Sequence, residues 1–366
     1  MKKELKIIHI STAHIWRGGE QQIAYLVEEL QKLGVQQLLA VKKGGAMEAY
    51  CRKMKWPHEA IAKKSGLDWR FSHRLARLCK SQNPDFLHAH DSHGHTFAVM
   101  AWELFGCRTP VVLHRRVDFA VGKNWLSRYK YNHRSMGAII CISKAIRAIL
   151  NPVIKQPEKL ELVYSAVKPE RFAKGAPGIL RKQYQVPAEE KIIGNVAALV
   201  GHKDYFTFLD TAKMSLQEGI SARFFIIGDG ALKESLMEYA QELEIRDKVV
   251  FTGFRTDIEA VLPELDILLF TSQMEGLGTT ILDAYAAKVP VVATRAGGIP
   301  EMVIENETAL LAPVKDSMQL ALHLTTLVKK PKKAQDLRHN AYQHLLQNFT
   351  TPVMAEEILK IYKKLI

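Results

Sequence analysis

The sequence predicts an α/β protein of two Rossmann-like, doubly wound domains that face each other across a cleft. Short runs that are apolar on successive residues recur along the whole chain, which is typical of parallel strands buried on both faces. Segments with helical periodicity, such as 20–34 and 231–245, separate these runs. The alternation occurs twice, on either side of a proline-containing crossover at 167–178, so the 366 residues predict two domains.

The predicted strands follow in chain order. In the first half they are LKIIHI, QLLAV, DFLHAH, PVVLH, GAIICIS and KLELVY, and in the second KIIGNVA, ARFFIIG, KVVFTG, DILLFTS and PVVATR. Gly34 is expected to end the first helix. Because open α/β sheets bind ligands at the carboxyl ends of their strands, functional residues are expected directly after these runs.

Composition limits the class of protein. No apolar run reaches the ~18 residues of a membrane-spanning helix, and residues 1–12 are interpreted as a first strand and not a signal peptide. The widely spaced cysteines favour reduced thiols in a cytoplasmic protein. Residues 1–170 carry 28 Lys and Arg against 14 Asp and Glu, a net charge of +14, whereas residues 171–366 carry −1. This asymmetry indicates an anionic surface or substrate, unless the basic face is only solvated.

Two glycine-containing turns follow predicted strands. Gly228, Asp229 and Gly230 end one strand of the second half, and Gly18 and Gly19 follow the first strand of the chain. Glycines at such positions let backbone N–H groups approach a phosphate, although many α/β turns look similar. The first-half turn lacks the full G-x-G-x-x-G pattern and no acid follows the next strand, which disfavours a dinucleotide cofactor.

The segment MEGLGTTILD (274–283) is the strongest candidate site. If a helix begins near Thr279, its free N–H groups lie between two acids, Glu275 before the helix and Asp283 one turn inside it. A diphosphate on the N–H groups of Gly278, Thr279 and Thr280 would place hydroxyl-bearing rings within reach of both carboxylates. This spacing suits a nucleotide sugar, whose diphosphate separates two polyols. The alternative is an ordinary helix start with acidic residues near it.

Motif order in the second half resembles a known family. The segments NVAALVGHKDYFTFL, GDG, FTGF, EGLGTTILD and AGGIPEMV resemble, in this order, the retaining glycosyltransferases of family 4, which have the GT-B fold. The resemblance covers most of 190–305 and is looser in the first half, where HAHD and VVLHRR carry it. It implies an acceptor-side domain at 1–168, a donor-binding domain at 169–349, and a C-terminal helix at about 350–366 that packs back on the first domain.

The resemblance also implies roles for individual residues. Glu275 and His114 match positions that contact the donor sugar, and Asp283 matches a ribose-binding position that usually holds Glu. The remaining matches are the base-lining Gly253 and Phe254, and a phosphate cradle of Gly276, Leu277, Gly278, Thr279 and Thr280.

The diphosphate clamp departs from the family pattern. Lys203 matches its lysine, but the accompanying arginine position falls near Ala198. A departing diphosphate needs positive charge. Arg115, Arg116 and His202 are therefore candidates for the missing part of the phosphate clamp.

Histidines cluster in HAHDSHGH, which contains His88, His90, His93 and His95. The spacing permits a metal site, polar residues of a cleft, or plain structural roles. No cysteine or second carboxylate clusters nearby, and we predict no metal.

Two basic aromatic segments, 69–80 and 122–134, favour peripheral binding to an anionic membrane surface, with a solvated basic face as the alternative. No nucleic-acid motif is present, and no nucleic-acid partner is predicted.

With these features, the resemblance implies a retaining hexosyl- or N-acetylhexosaminyl-transferase that forms an α-glycosidic bond on a glycan or lipid-linked acceptor. We expect no cofactor beyond the nucleotide-sugar co-substrate, with UDP-sugars slightly favoured over GDP-sugars. The expected role is in cell-surface polysaccharide or lipopolysaccharide synthesis, in the cytoplasm or peripherally on the cytoplasmic face of the membrane. The alternatives are an epimerase-type GT-B enzyme and a non-catalytic nucleotide-sugar-binding protein.

Overall fold

A computed structural model describes residues 4–122, 125–173 and 178–366. The chain divides into two compact units. The first contains the residues up to Ala166 together with Thr351–Ile366, and the second contains Val167–Thr350. Parts of the predicted crossover at 167–178 and of the basic segment at 122–134 lie outside the described residues. None of the helices described is long and apolar enough to cross a membrane.

The first unit is built on a parallel sheet, for which the described residues give seven strands in the order β3-β2-β1-β4-β5-β6-β7. The strands are β1 Lys6–Ser11, β2 Gln36–Lys42, β3 His58–Ile61, β4 Phe86–Ala89, β5 Val111–Arg115, β6 Met136–Cys141 and β7 Leu160–Leu162. The helices are α1 Gly18–Lys32, α2 Ala46–Met54, α3 Trp69–Gln82, α4 Ser92–Phe105, α5 Trp125–Tyr131 and α6 Lys144–Leu150. Gly34, with φ of 76°, follows the end of α1 as the sequence predicts.

The second unit has its own parallel sheet, with six strands among the described residues in the order β10-β9-β8-β11-β12-β13. Its strands are β8 Lys191–Val196, β9 Ala222–Ile227, β10 Val249–Gly253, β11 Ile267–Phe270, β12 Val291–Thr294 and β13 Leu310–Ala312. Its helices are α7 Ile179–Gln183, α8 Tyr205–Gln217, α9 Lys233–Glu242, α10 Ile258–Val261, α11 Thr279–Ala286, α12 Ile299–Met302, α13 Ser317–Lys329 and α14 Pro331–Asn348.

The last helix, α15 (Thr351–Lys364), belongs to the core of the first unit. Its Ile358 and Tyr362 are fully buried in a cluster that includes Ile7 of β1 and Leu26 of α1. The hydroxyl of Tyr362 also lies 2.5 Å from Nδ1 of His88 on β4. Residues 351–366 therefore complete the first unit after the chain has passed through the second.

Both sheets are covered on both faces, and this explains the apolar runs. Every residue of β4, β11 and β12 is buried, so none of these strands shows polar alternation. The parallel strands bring their carboxyl ends to one edge of each sheet. The residues predicted to function lie at these edges.

Candidate active site

The loop after β11 holds a nearly buried acid, Glu275. Its Oε1 accepts hydrogen bonds from Nζ of Lys203 and, at 2.8 Å, from Oγ of Ser272. Lys203 lies in the loop before α8, with Nζ 5.4 Å from the ring centroid of Phe270. The structure thus brings two of the predicted catalytic residues into direct contact. Ser272, which fixes the carboxylate, carried no signal in the sequence.

The glycine pair of AGGIPEMV holds the Glu275 loop in place. The N–H of Gly298 donates to the carbonyl of Glu275 at 3.0 Å. Gly297 has φ of 49°, and a Cβ there would lie 2.0 Å from the same carbonyl oxygen, so only glycine fits. The two glycines therefore act through the backbone of Glu275, a role the sequence did not show.

Helix α11 begins at Thr279, as predicted, with Gly278 as its N-cap residue. The first N–H groups of a helix have no carbonyl partner within the helix, and the loop that carries Glu275 leads directly into this helix start. Oγ1 of Thr280 donates to the carbonyl of Val196 at the end of β8, at 3.2 Å, which anchors the first turn. The helix start can therefore accept an anion next to the carboxylate of Glu275.

Asp283 lies one turn into α11, and its environment favours the neutral acid. The side chain is half-buried, and its Oδ1 is enclosed without a hydrogen-bond partner. Burial raises the pKa of Asp283 to about 7, opposed by the positive charge of Arg171 and reinforced by the negative charge of Glu259. A buried carboxyl oxygen without a hydrogen-bond partner is unusual in a folded protein, and it marks Asp283 as a candidate functional residue.

We expect Asp283→Asn to reduce the loss of stability that occurs as pH rises from 5 to 8. Between pH 4 and pH 7 the folded protein holds a proton on Asp283 that the unfolded chain has released, so the free energy of unfolding falls as pH rises. The wild-type loss from this group should be on the order of 2–4 kcal/mol between pH 5 and pH 8. Urea unfolding at both pH values measures it, with exposed Asp247→Asn as control. Equal pH dependence of wild type and Asp283→Asn would contradict the assignment.

The two predicted nucleotide-binding turns of the second unit lie side by side. The N–H of Gly228 donates to the carbonyl of Gly253 at 3.1 Å, and Phe254, next in the chain, is 77% exposed. Gly228 has φ of 151°, and a Cβ there would lie 2.0 Å from the carbonyl oxygen of Ala197. The glycine is therefore required by the close approach of the loop after β8.

The rest of this turn is arranged around the same loop. Oδ1 of Asp229 accepts from the N–H of Gly230 at 2.8 Å, and the carbonyl of Asp229 accepts from the N–H of Leu199 at 3.0 Å. His202, which lies between β8 and α8, is exposed. Exposed Phe254 offers an apolar face to a base, and His202 offers an imidazole at the surface.

In the first unit, a cavity of about 630 Å³ opens at the carboxyl ends of β1, β4 and β5. It is lined by Gly19 at the start of α1 and by His114, Arg115 and Arg116 at the end of β5. Gly18 begins α1 beside it. The structure therefore gathers the predicted first-unit residues at one edge of the sheet.

Three buried histidines, His9, His88 and His90, have ring nitrogens within 4.8 Å of one another, close enough to hold a metal ion. Hydrogen bonds account for the ring nitrogens of His9 and His90, whereas Nε2 of His88 is buried without a partner. Arg116 donates to Nδ1 of His90, so Nε2 of His90 carries the hydrogen and donates to Nδ1 of His9 at 2.9 Å. Burial lowers the pKa of His9 to about 4 and that of His88 and His90 well below the usual value.

The other histidines of HAHDSHGH have separate surroundings. His95 is buried, with Nε2 3.0 Å from the carbonyl of Lys130, and His93 is exposed, with Nδ1 2.7 Å from Nζ of Lys63. The sequence cluster is thus divided between the β4 edge and the first turn of α4. His9, on the neighbouring strand, was missed because it lies far from the cluster in the chain.

Comparison with known proteins agrees with this architecture. The model of glycosyl transferases group 1 matches residues 178–344, and that of Glycosyltransferase Family 4 matches residues 16–171. The crystal structure of Anabaena HepE in complex with UDP-glucose superposes with a TM-score of 0.86 at 20% identity, covering 99% of this chain and 100% of that one. WaaG, a glycosyltransferase involved in lipopolysaccharide biosynthesis, gives a TM-score of 0.71 at 14% identity, with 98% of both chains covered.

Two parallel-sheet, Rossmann-like domains with these structural neighbours define the GT-B fold. Taken together, the Family 4 match in the first half of the chain and the group 1 match in the second place the chain among the glycosyltransferases of family 4. It is 24% identical over 302 residues to N-acetyl-alpha-D-glucosaminyl L-malate synthase of Bacillus anthracis, covering 81% of this chain and 78% of the relative. It is 22% identical over 362 residues to the lipopolysaccharide core biosynthesis glycosyltransferase LpsD of Rhizobium meliloti (strain 1021), covering 98% of both.

Proposed function

We propose that the protein is a retaining glycosyltransferase that moves a hexosyl or N-acetylhexosaminyl residue from a nucleotide sugar to a glycan or lipid-linked acceptor, forming an α-linkage. UDP-sugars are favoured over GDP-sugars as donors. The observation that carries the proposal is the Glu275 carboxylate, held by Lys203 and Ser272 beside the N-terminus of α11. It combines an acid for sugar hydroxyls with a cation and N–H groups for a diphosphate.

In this proposal the diphosphate lies on the N–H groups of Gly278, Thr279 and Thr280. Lys203 offsets the negative charge that grows as the bond between the anomeric carbon and the diphosphate oxygen breaks. The acceptor oxygen bonds to the same face of that carbon, and its proton passes to the departing diphosphate. Glu275 orients the sugar through its hydroxyls, and Asp283 meets the ribose. We also assign His114 and the Gly18–Gly19 turn to donor binding.

Relatives support the biological setting. LpsD and WaaG are named for lipopolysaccharide synthesis, and HepE was crystallised with UDP-glucose. We therefore place this enzyme in cell-surface polysaccharide or lipopolysaccharide synthesis, with a UDP-sugar as the first donor to test. An epimerase-type enzyme would convert the donor without an acceptor, and a non-catalytic binder would leave it intact.

A thermal-shift panel of UDP-, GDP- and ADP-sugars tests the donor assignment. A ligand at a hundredfold excess over its Kd adds about 2.7 kcal/mol to the stability of the folded state, which raises Tm by several degrees. We expect the largest rise in Tm with a UDP-sugar. In a separate incubation without acceptor, we expect the enzyme to hydrolyse that donor slowly and release UDP. No shift with any nucleotide sugar would contradict the proposed function. Intact donor after long incubation would favour the non-catalytic binder, and a second sugar epimer in the donor pool would favour the epimerase.

We also propose peripheral attachment to an anionic, cytoplasmic membrane face through α5. Trp125 is 70% exposed, Leu126 51% and Tyr129 45%, and Arg128 beside them is exposed. Aromatic and basic side chains on one short helix suit an anionic lipid surface. Lys130 is not part of this surface, because its Nζ donates to Oγ of Ser92 at 3.0 Å.

Co-sedimentation with anionic and neutral vesicles across a salt series tests this attachment. Each cation near an anionic surface contributes about 1 kcal/mol, which weakens with salt. Arg134, three residues after the end of α5, is also exposed. We expect Arg128→Ser/Arg134→Ser to reduce binding to anionic vesicles about tenfold or more, and Trp125→Ser to reduce it further. Lys330→Ser/Lys332→Ser removes the same charge from the second unit and should have little effect. Equal binding to both vesicle types would exclude the proposal and favour a soluble acceptor.

A further inference from the structure

Arg116 places a guanidinium in the wall of the first-unit cavity without an acidic partner. Its NH1 and NH2 lie 3.2 and 3.3 Å from Nδ1 of His90, and its NH2 lies 3.1 Å from Nδ1 of His114. Its Nε is buried and makes no hydrogen bond. Across residues 4–122, 125–173 and 178–366, no carboxylate lies within ion-pair distance of it.

Two acids line the same cavity, Glu20 and Asp91, and both form hydrogen bonds to groups other than Arg116. Oε2 of Glu20 accepts from the N–H of Arg17 at the start of α1. Asp91 accepts from the N–H of Thr12 at 2.6 Å, from the hydroxyl of Thr12 at 2.7 Å and from the N–H of Gly94 at 2.8 Å. Both carboxylates thus hold backbone segments in place, and neither contacts Arg116.

The imidazoles around Arg116 accept its hydrogen bonds as neutral rings. Because His90 accepts on Nδ1, it donates through Nε2 to His9, and His9 donates through Nε2 to Oε1 of Gln37 at 3.0 Å. The amide of Gln37 donates in turn to the carbonyl of Val27 at 2.9 Å. This chain fixes the tautomers of both rings, so the histidines orient the guanidinium without neutralising it. Glu20 and Asp91 act on its charge only from a distance, with no ion pair.

A buried, unpaired charge is costly, and proteins tolerate it mainly where a ligand supplies the opposite charge. Arg116 keeps its charge at neutral pH, because burial lowers its pKa only to about 10. Arg115, next to it, donates to Tyr131 and to the carbonyl of Phe119, and its own Nε is also buried without a partner. Arg17 adds a third cation to the cavity lining.

We propose that this cavity binds an oxyanion, a phosphate or carboxylate group carried by the acceptor, with the Arg116 guanidinium as its main partner. The proposal rests on the proposed glycosyltransferase function and narrows its acceptor to an anionic one. The donor diphosphate is the other possible source of an oxyanion. However, it already has a candidate cradle in the second unit, at Lys203 and the start of α11.

Calorimetric titration of the full chain with orthophosphate, and separately with UDP, tests the site. We expect orthophosphate to bind the wild type and to bind Arg116→Gln at least tenfold more weakly. Arg147→Gln makes the same charge change on the exposed face of α6 and should match the wild type. UDP affinity should be the same, within about threefold, in wild type and Arg116→Gln, and saturating orthophosphate should not displace UDP.

Two results would overturn the proposal. One is orthophosphate affinity that is absent in the wild type or unchanged in Arg116→Gln. The other is competition between orthophosphate and UDP together with loss of UDP affinity in Arg116→Gln, which would assign the cation to the donor. If Arg116→Gln does not fold, Arg116→Lys and the wild-type competition decide the same question. Orthophosphate binding without UDP binding would retain the anion site and reject the proposed function.

Discussion

Replacing Glu275 with glutamine is expected to lower kcat by about a thousandfold while the protein stays folded. Loss of one preorganised charged group at a reacting centre costs about 10²–10³ in rate. Glutamine keeps the shape and can still accept from Ser272, but it removes the charge that pairs with Lys203. The measurement is the initial rate of transfer, or of donor hydrolysis, at saturating donor. Circular dichroism and UDP affinity show whether the fold and nucleotide site persist.

Glu307→Gln is the matched control, because Glu307 is an exposed acid of the same unit. It should leave the rate unchanged. A Glu275→Gln enzyme with wild-type kcat would remove Glu275 from the donor site. A rate loss that accompanies a general loss of structure would assign the residue a structural role, since its carboxylate joins Lys203 to Ser272.

Replacing Lys203 with methionine is expected to weaken UDP binding by about ten- to a hundredfold and to lower kcat/KM by more. A hydrogen bond to a charged group contributes about 1.5–3 kcal/mol, and each 1.4 kcal/mol changes affinity tenfold. The substitution also leaves the carboxylate of Glu275 without its cation, close to where the diphosphate is proposed to bind. The measurement is UDP titration together with steady-state kinetics.

The double variant Lys203→Met/Glu275→Gln separates these two effects. If repulsion by Glu275 contributes, the double variant should bind UDP more tightly than Lys203→Met alone. Lys213→Met on α8 of the same unit is the control and should bind UDP like the wild type. Unaltered UDP and GDP affinity in Lys203→Met would show that Lys203 does not bind the diphosphate. Arg115 and Arg116 would then be the next residues to test as the phosphate clamp.

The sequence predicted elements whose physical cause is local. An unbroken apolar strand such as β11 and a glycine-rich helix start such as that of α11 are visible in a few neighbouring residues. The sequence analysis missed strands β3 and β13, each for a different reason. β3 reads HEAI, which alternates little and contains two polar residues, and β13 is only LLA, too short for a periodic pattern. Both are strands at the ends of their sheets, where pairing with one neighbour defines them.

Contacts within the site depend on tertiary packing, and the sequence could not provide them. Lys203 and Glu275 were both named from motifs, but their pairing required β8 and β11 to be neighbours in the sheet. The link from Gly297 and Gly298 to Glu275 likewise joins loops on either side of β12. His9, His90 and Arg116 come from the ends of β1, β4 and β5, and only the strand order brings them together. Apolar periodicity indicates which residues are buried and carries no information on which strands are adjacent.

The return of α15 to the first unit has a consequence for folding during synthesis. The second unit is one continuous stretch, Val167–Thr350, so it can fold as soon as it leaves the ribosome. The first unit must wait for Thr351–Ile366, and until then the apolar surface that Ile358 and Tyr362 later cover stays open. At ~5–20 residues per second, that wait lasts roughly 10–40 s. The domain made first should therefore be finished last, with chaperone dependence concentrated in the N-terminal half of the nascent chain.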